Sequence, residues 1–102
     1  MFEEIIRLDN LVTLYPTLYG RGVPCGVWAP IEWFTVISQL SCDIEEYIIK
    51  NGLVDFQVQQ IKEKFGGLRF YVSHSDEYID GLIAQAERDV AIIEKKLKED
   101  VG

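Results

Sequence analysis

Two adjacent glycines, Gly66-Gly67, separate two runs in which apolar and polar residues alternate. Alternation with period two is the pattern of a strand with one buried face. A glycine pair between such runs favours a tight two-residue turn, because both turn positions need positive φ. The chain over residues 54–74 therefore reads as a β-hairpin. Its first strand holds Phe56-Gln57-Val58-Gln59 and then Ile61-Lys62-Glu63-Lys64-Phe65, with the phase slipping by one residue between Val58 and Ile61. A slip that keeps both runs facing inward predicts a bulge near Gln59-Gln60. Leu68-Arg69-Phe70-Tyr71-Val72 is the return strand.

With the turn at Gly66-Gly67, Phe65 faces Leu68, Lys64 faces Arg69, Glu63 faces Phe70, Lys62 faces Tyr71 and Ile61 faces Val72. One face then carries Ile61, Phe65, Leu68, Phe70 and Val72, with Glu63 as its one acid. The other carries Lys62, Lys64, Arg69 and Tyr71. The first face must pack on something, and the helices of the chain are what is available.

Residues 2–14 read as a short amphipathic helix, with Phe2, Ile5, Ile6, Leu8, Leu11, Val12 and Leu14 apolar and Pro16 bounding it. Residues 19–29 read as a loop broken by Gly20, Gly22, Pro24 and Gly26, pinned to the core by Trp28. Pro30 opens a second helix at its first position, with Glu32 in the first turn. Trp33, Phe34, Ile37, Leu40, Cys42, Ile44, Tyr47 and Ile48 are its apolar residues, most of them on one face, and Asn51-Gly52 ends it. Ser75 is the expected N-cap of a last helix running to about Lys98. Ile79, Ile83, Ala86, Val90, Ile93 and Leu97 recur in it at steps of four and three, a heptad seam. Its first half is expected to pack on the second helix, and Val90, Ile93 and Leu97 to offer a homodimer contact.

The whole is an α+β fold in the order helix, helix, hairpin, helix, forming a single domain over 1–102. A 102-residue chain buries one modest core. That core is expected to hold Trp28, Trp33, Phe34, Ile37, Leu40, Ile44, Ile61, Phe65, Leu68, Phe70, Val72, Ile79 and Ile83.

Seventeen acids against ten bases give a net charge of −7, which argues against generic binding to DNA. No apolar run is long enough to span a membrane, and acidic amphipathic helices are repelled by anionic lipid. The acidic start, Met1-Phe2-Glu3-Glu4, is unlike a secretory signal, so a cytoplasmic protein is expected. Cys25 and Cys42 are expected to be free thiols. With one histidine, His74, and no C-x-x-C, neither a zinc site nor another cofactor is expected. Acid–base work could use Glu63 beside Lys62 and Lys64, or His74 beside Asp76, and neither arrangement differs from what a charged chain contains by chance. Glu3-Glu4 and Glu45-Glu46 are adjacent in helices and point apart. An enzyme is not expected, and no residue is assigned to catalysis.

The basic hairpin face is the sharpest feature. Lys64 directly opposite Arg69 is locally unfavourable unless negative charge meets it. That charge can come from the acidic helices of the chain itself. It can also come from a phosphate, a nucleotide, a single strand stacked on Tyr71, or an acidic protein surface. The backbone N–H groups of Gly66 and Gly67 offer a further place for an anion.

Gln60-Ile61-Lys62-Glu63-Lys64-Phe65-Gly66-Gly67-Leu68-Arg69-Phe70-Tyr71 resembles the Gln-x-Lys-Glu-Lys-Phe-Gly-x-Leu-Arg-Phe-Tyr signature of a family of small, functionally uncharacterised proteins from bacteria and their phages. Tyr15-Pro16, Cys25-Gly26, Trp33-Phe34 (with Glu32 where the family has glycine) and Ala86-Glu87 extend the resemblance over residues 15–88. Many members end in a cysteine-rich, zinc-ribbon-like segment. Here the chain runs on as Arg88-Asp89-Val90-Ala91-Ile92-Ile93-Glu94-Lys95-Lys96, without cysteine. The resemblance implies a phage or mobile-element accessory protein in a bacterial cytoplasm. The leading expectation is thus a non-catalytic protein-interaction module, such as an inhibitor of a host defence protein. The alternative is a small anion, nucleotide or nucleic-acid binder using Lys62, Lys64, Arg69 and Tyr71.

Overall fold

The computed structural model describes residues 4–101. Among these residues four α-helices and a three-stranded sheet appear in the order α1 (Leu8–Leu14), α2 (Pro16–Tyr19), β1 (Val27–Trp28), α3 (Phe34–Lys50), β2 (Val58–Lys64), β3 (Gly67–Val72) and α4 (Glu77–Val101). The fold is α+β, with the hairpin between helices and a long C-terminal helix, as expected. No helix among the described residues is long and apolar enough to cross a membrane.

The first helix is shorter than the apolar pattern predicts. Phe2 and Glu3 lie outside the described residues. Ile5 and Ile6 are extended rather than helical: Ile6 N–H donates to the Ala29 carbonyl at 2.8 Å, and Ile31 N–H donates to the Glu4 carbonyl at 2.9 Å. Ile5 and Pro30 form an antiparallel bridge between these bonds. Ile6 then enters the core while Ile5 faces out, as extended neighbours must. The chain turns at Tyr15, and Pro16 starts α2 at a position that needs no N–H.

Polar bonds dock α2, and Tyr15 just before it, on α3. The Tyr19 hydroxyl meets Ser41 Oγ at 2.6 Å, and that Ser41 hydroxyl donates to the Ile37 carbonyl at 2.7 Å. Burial pushes the Tyr19 hydroxyl far above its ordinary value, so it remains a neutral donor. Tyr15 meets Ser38 at 2.5 Å, and Glu45 accepts the Leu18 N–H at 3.0 Å. Glu45 thus satisfies a first-turn amide of α2 that has no partner within its own helix.

Pro30 stands just before the helix, with extended ψ of 147°, and a 3-10 turn over Ile31–Trp33 leads into α3. Trp33, Ile37, Leu40, Ile44 and Ile48 are buried, and Phe34 is partly so. Gly52, at φ 63°, follows the end of α3 in the left-handed conformation expected of it. Asp76, not Ser75, caps α4: its Oδ1 accepts Ile79 N–H at 2.9 Å. Ser75 sits one residue too early and bonds Asp80 instead. Helices α3 and α4 run antiparallel. Tyr47 near the end of α3 stacks on Tyr78 near the start of α4, while Trp33 beside the start of α3 donates to Glu94 Oε2 at 3.0 Å. Ile79, Ala86 and Val90 are buried along this contact, with Ile83 and Ile93 packed at its margin. Val90 is 0% exposed in the single chain, so it cannot serve the homodimer contact predicted for it, and of that trio only Leu97 is exposed.

The hairpin register differs from the predicted one. Lys64 pairs with Gly67, Glu63 with Leu68, Lys62 with Arg69, Ile61 with Phe70 and Gln60 with Tyr71. The two turn residues are therefore Phe65 and Gly66, at φ 55° and 77°. Positive φ at both positions is the favoured geometry for this turn. Glu63 fixes it by accepting the Gly66 N–H at 2.6 Å. Phe65 is consequently 92% exposed at the tip, not in the core. Moving the turn by one residue shifts opposite partners by two, so every other side chain keeps its predicted face. The bulge appears between Val58 and Gln60, where it was expected.

The third strand was not predicted. Val27–Trp28, inside the expected loop, pairs parallel with β2, Val27 beside Ile61 and Trp28 beside Lys62. Strand order is β1-β2-β3, with the hairpin's first strand in the middle. Val58, Ile61, Leu68 and Phe70 are buried on the covered face, where they join the core shared with the helices. Trp28 is not: it stands on the opposite face and is 61% exposed.

Candidate functional site

Register alone composes the open face. In-register neighbours in a sheet point the same way, so Trp28, Lys62 and Arg69 form one row across all three strands. Gln60 and Tyr71 form a second row, and Lys64 a third opposite Gly67. The structure brings Lys62, Lys64, Arg69 and Tyr71 together on one face, as predicted. The opposed bases, however, are Lys62 and Arg69, and Lys64 faces a glycine. Tyr71 is 45% exposed.

Among the described residues no carboxylate of the acidic helices lies within ion-pair distance of these bases. Among the described residues the one ion pair within 4.0 Å is Arg7 with Asp9, away from the hairpin. Arg69 Nη1 donates to the Leu68 carbonyl at 3.3 Å, which lays the guanidinium along β3. The Lys64 ammonium is 5.8 Å from the centre of the Phe65 ring, a cation–π contact at the hairpin tip. The glycine turn does not add an anion site of the kind expected. Gly66 N–H already holds the Glu63 carboxylate, and Gly67 belongs to β3.

Trp28 is the member that sequence reasoning misplaced. Its indole N–H donates to the Cys25 carbonyl at 3.3 Å, and Gln60 Nε2 donates to the same oxygen at 3.1 Å. A Cβ at Gly26 would lie 2.5 Å from the Trp28 nitrogen, and Gly26 sits at φ 90°. Only glycine lets the indole pack against that backbone. A signal for this was present. Val23, Val27 and Ala29 stand at odd positions and face the core, which puts Trp28 out of phase with them.

The other candidates do not assemble into chemistry. Asp76 spends its carboxylate on Ile79 N–H and on the Tyr47 hydroxyl, and these two donors hold it below the usual range. His74 is exposed beside Leu53, Val54 and Phe56. Cys25 and Cys42 are free. Burial and the neighbouring Glu46 push the Cys42 thiol up, the opposite of what a nucleophilic cysteine needs. Among the described residues no three His, Cys, Asp or Glu side chains are grouped to hold a metal. No protein-family model, curated protein or solved structure matches this chain.

Proposed function

We propose that this protein is a non-catalytic binding module that engages a negatively charged partner through the open face of its sheet. One observation carries this reading: Lys62 and Arg69 stand side by side with Lys64 nearby, no carboxylate among the described residues lies within ion-pair distance of them, and exposed aromatics flank them. Like charges held together on a surface are costly unless a partner of opposite sign completes them. Tyr, Trp and Arg are also the residues that dominate binding energy at interfaces. The accessory, inhibitor-type role implied by the family resemblance is compatible with such a surface and adds no residue to it.

Retention on immobilised heparin at low salt tests the reading. The native protein should be retained despite its net charge of −7. The Lys62→Glu/Arg69→Glu variant should pass through while keeping its circular dichroism. A native protein that passes through unretained would remove the open face as an anion-binding surface.

A further inference from the structure

The open face carries ring surfaces as well as charge. The pyrrole side of the Trp28 indole rests on Gly26, and its N–H is used on the Cys25 carbonyl. What Trp28 offers a partner is therefore a fixed ring face with no free donor. Tyr71 stands across from Gln60, whose amide shares the same Cys25 oxygen. Trp28 and Tyr71 occupy the two outer strands; Lys62 lies on the strand between them, and Arg69 shares β3 with Tyr71. Normal strand spacing and rise put their Cα atoms roughly 12 Å apart. Aromatic, cation, aromatic is the order in which a single nucleic-acid strand presents base, phosphate, base. Ring faces without directional donors suit stacking, which tolerates any base. Proteins that hold single strands on a sheet combine these same two components.

Resting on the binding reading above, we infer that the open sheet face binds single-stranded nucleic acid, with one base stacked on Trp28, another on Tyr71, and the strand's phosphates over Lys62, on the strand between them, and Arg69, beside Tyr71 on β3. Lys64 extends the cationic track toward the hairpin tip. The acidic remainder of the molecule repels a polyanion at long range, so binding is modest and confined to this face.

The test is a titration with an oligothymidylate of about ten nucleotides at low salt. Trp33 is buried, so quenching of tryptophan emission reports on Trp28. Saturable quenching is expected. In parallel, anisotropy of a labelled copy of the oligonucleotide should show about ten-fold weaker binding for Trp28→Ala and for Tyr71→Ala, and near-native binding for Trp28→Phe. Lys62→Glu/Arg69→Glu should abolish it. The logarithm of affinity should fall with the logarithm of salt at a slope of about −2, for three phosphate contacts. Polyglutamate binding that needs Lys62 and Arg69, without oligonucleotide binding, would overturn the nucleic-acid inference and leave the open face standing as a site for acidic protein. Binding of neither polyanion, or oligonucleotide binding indifferent to all these variants, would overturn both.

Discussion

Phe65 shows what single residues contribute to this molecule and where reading them goes astray. As an aromatic closing an alternating run it belongs in a core, and the adjacent glycines look like the turn. The structure instead uses Phe65-Gly66 for the turn and leaves the ring in solvent. Both placements satisfy the alternation, and what separates them is which partners end up opposite across the strands. An L-residue with a large side chain is strained at positive φ, whereas asparagine tolerates it. Phe65→Asn should therefore stabilise the protein by about 1 kcal/mol in chemical denaturation. Asp76 is a second local device. The Ile79 N–H, and after it the Tyr47 hydroxyl, favour its ionised form and lower its pKa in the folded state. A depressed carboxyl contributes stability above its unfolded value and loses it as pH falls through its folded value. Asp76→Asn should thus be less stable than the native chain at pH 7. The gap should close in acid, below about pH 4, when both are melted across a pH series.

At the scale of elements, long periodic segments were legible and short ones were not. The spacing of Ile37, Leu40, Ile44 and Ile48, and that of Ile79, Ile83, Ala86 and Val90, predicts two helices with apolar stripes, and both are present. Two-residue β1 has no periodicity of its own. Its strand character comes from pairing with Ile61 and Lys62, which no local pattern records. The extended start at Ile5-Ile6 was hidden for the same reason: helix and strand place two adjacent apolar residues equally well, and bonds to Ala29 and Ile31 decide. The three bases and Tyr71 of the open face were legible from alternation, while the place of Trp28 needed β1. The heptad seam of α4 also has a limit that sequence does not mark. It serves the single-chain core as far as Val90, with Ile93 at the margin, and reaches solvent at Leu97. Val90→Ala should cost about 2 kcal/mol in urea denaturation. Leu97→Ala should change stability by no more than about 0.5 kcal/mol. Equal losses at both positions would mean that the end of α4 is buried by something other than this chain.

On the scale of the whole molecule, the sheet is the divider. Helices cover one of its faces and supply the core. The other collects three of the chain's ten bases on a protein of net charge −7. A second exposed apolar area, Ile49, Leu53 and Val54 above Phe56, lies where α3 ends and has Arg21 at its edge. It competes with the sheet as a place for a partner, and solution mapping separates the two directly. The decisive measurement is a set of amide and indole chemical shifts recorded while oligothymidylate is added to the isotope-labelled protein at low salt. Shifts confined to Val27–Trp28, Val58–Lys64 and Gly67–Val72, led by the Trp28 indole N–H, are the predicted result. Shifts centred on Ile49, Leu53 and Val54, or none at any residue, would contradict the claim that the open face of the sheet binds single-stranded nucleic acid.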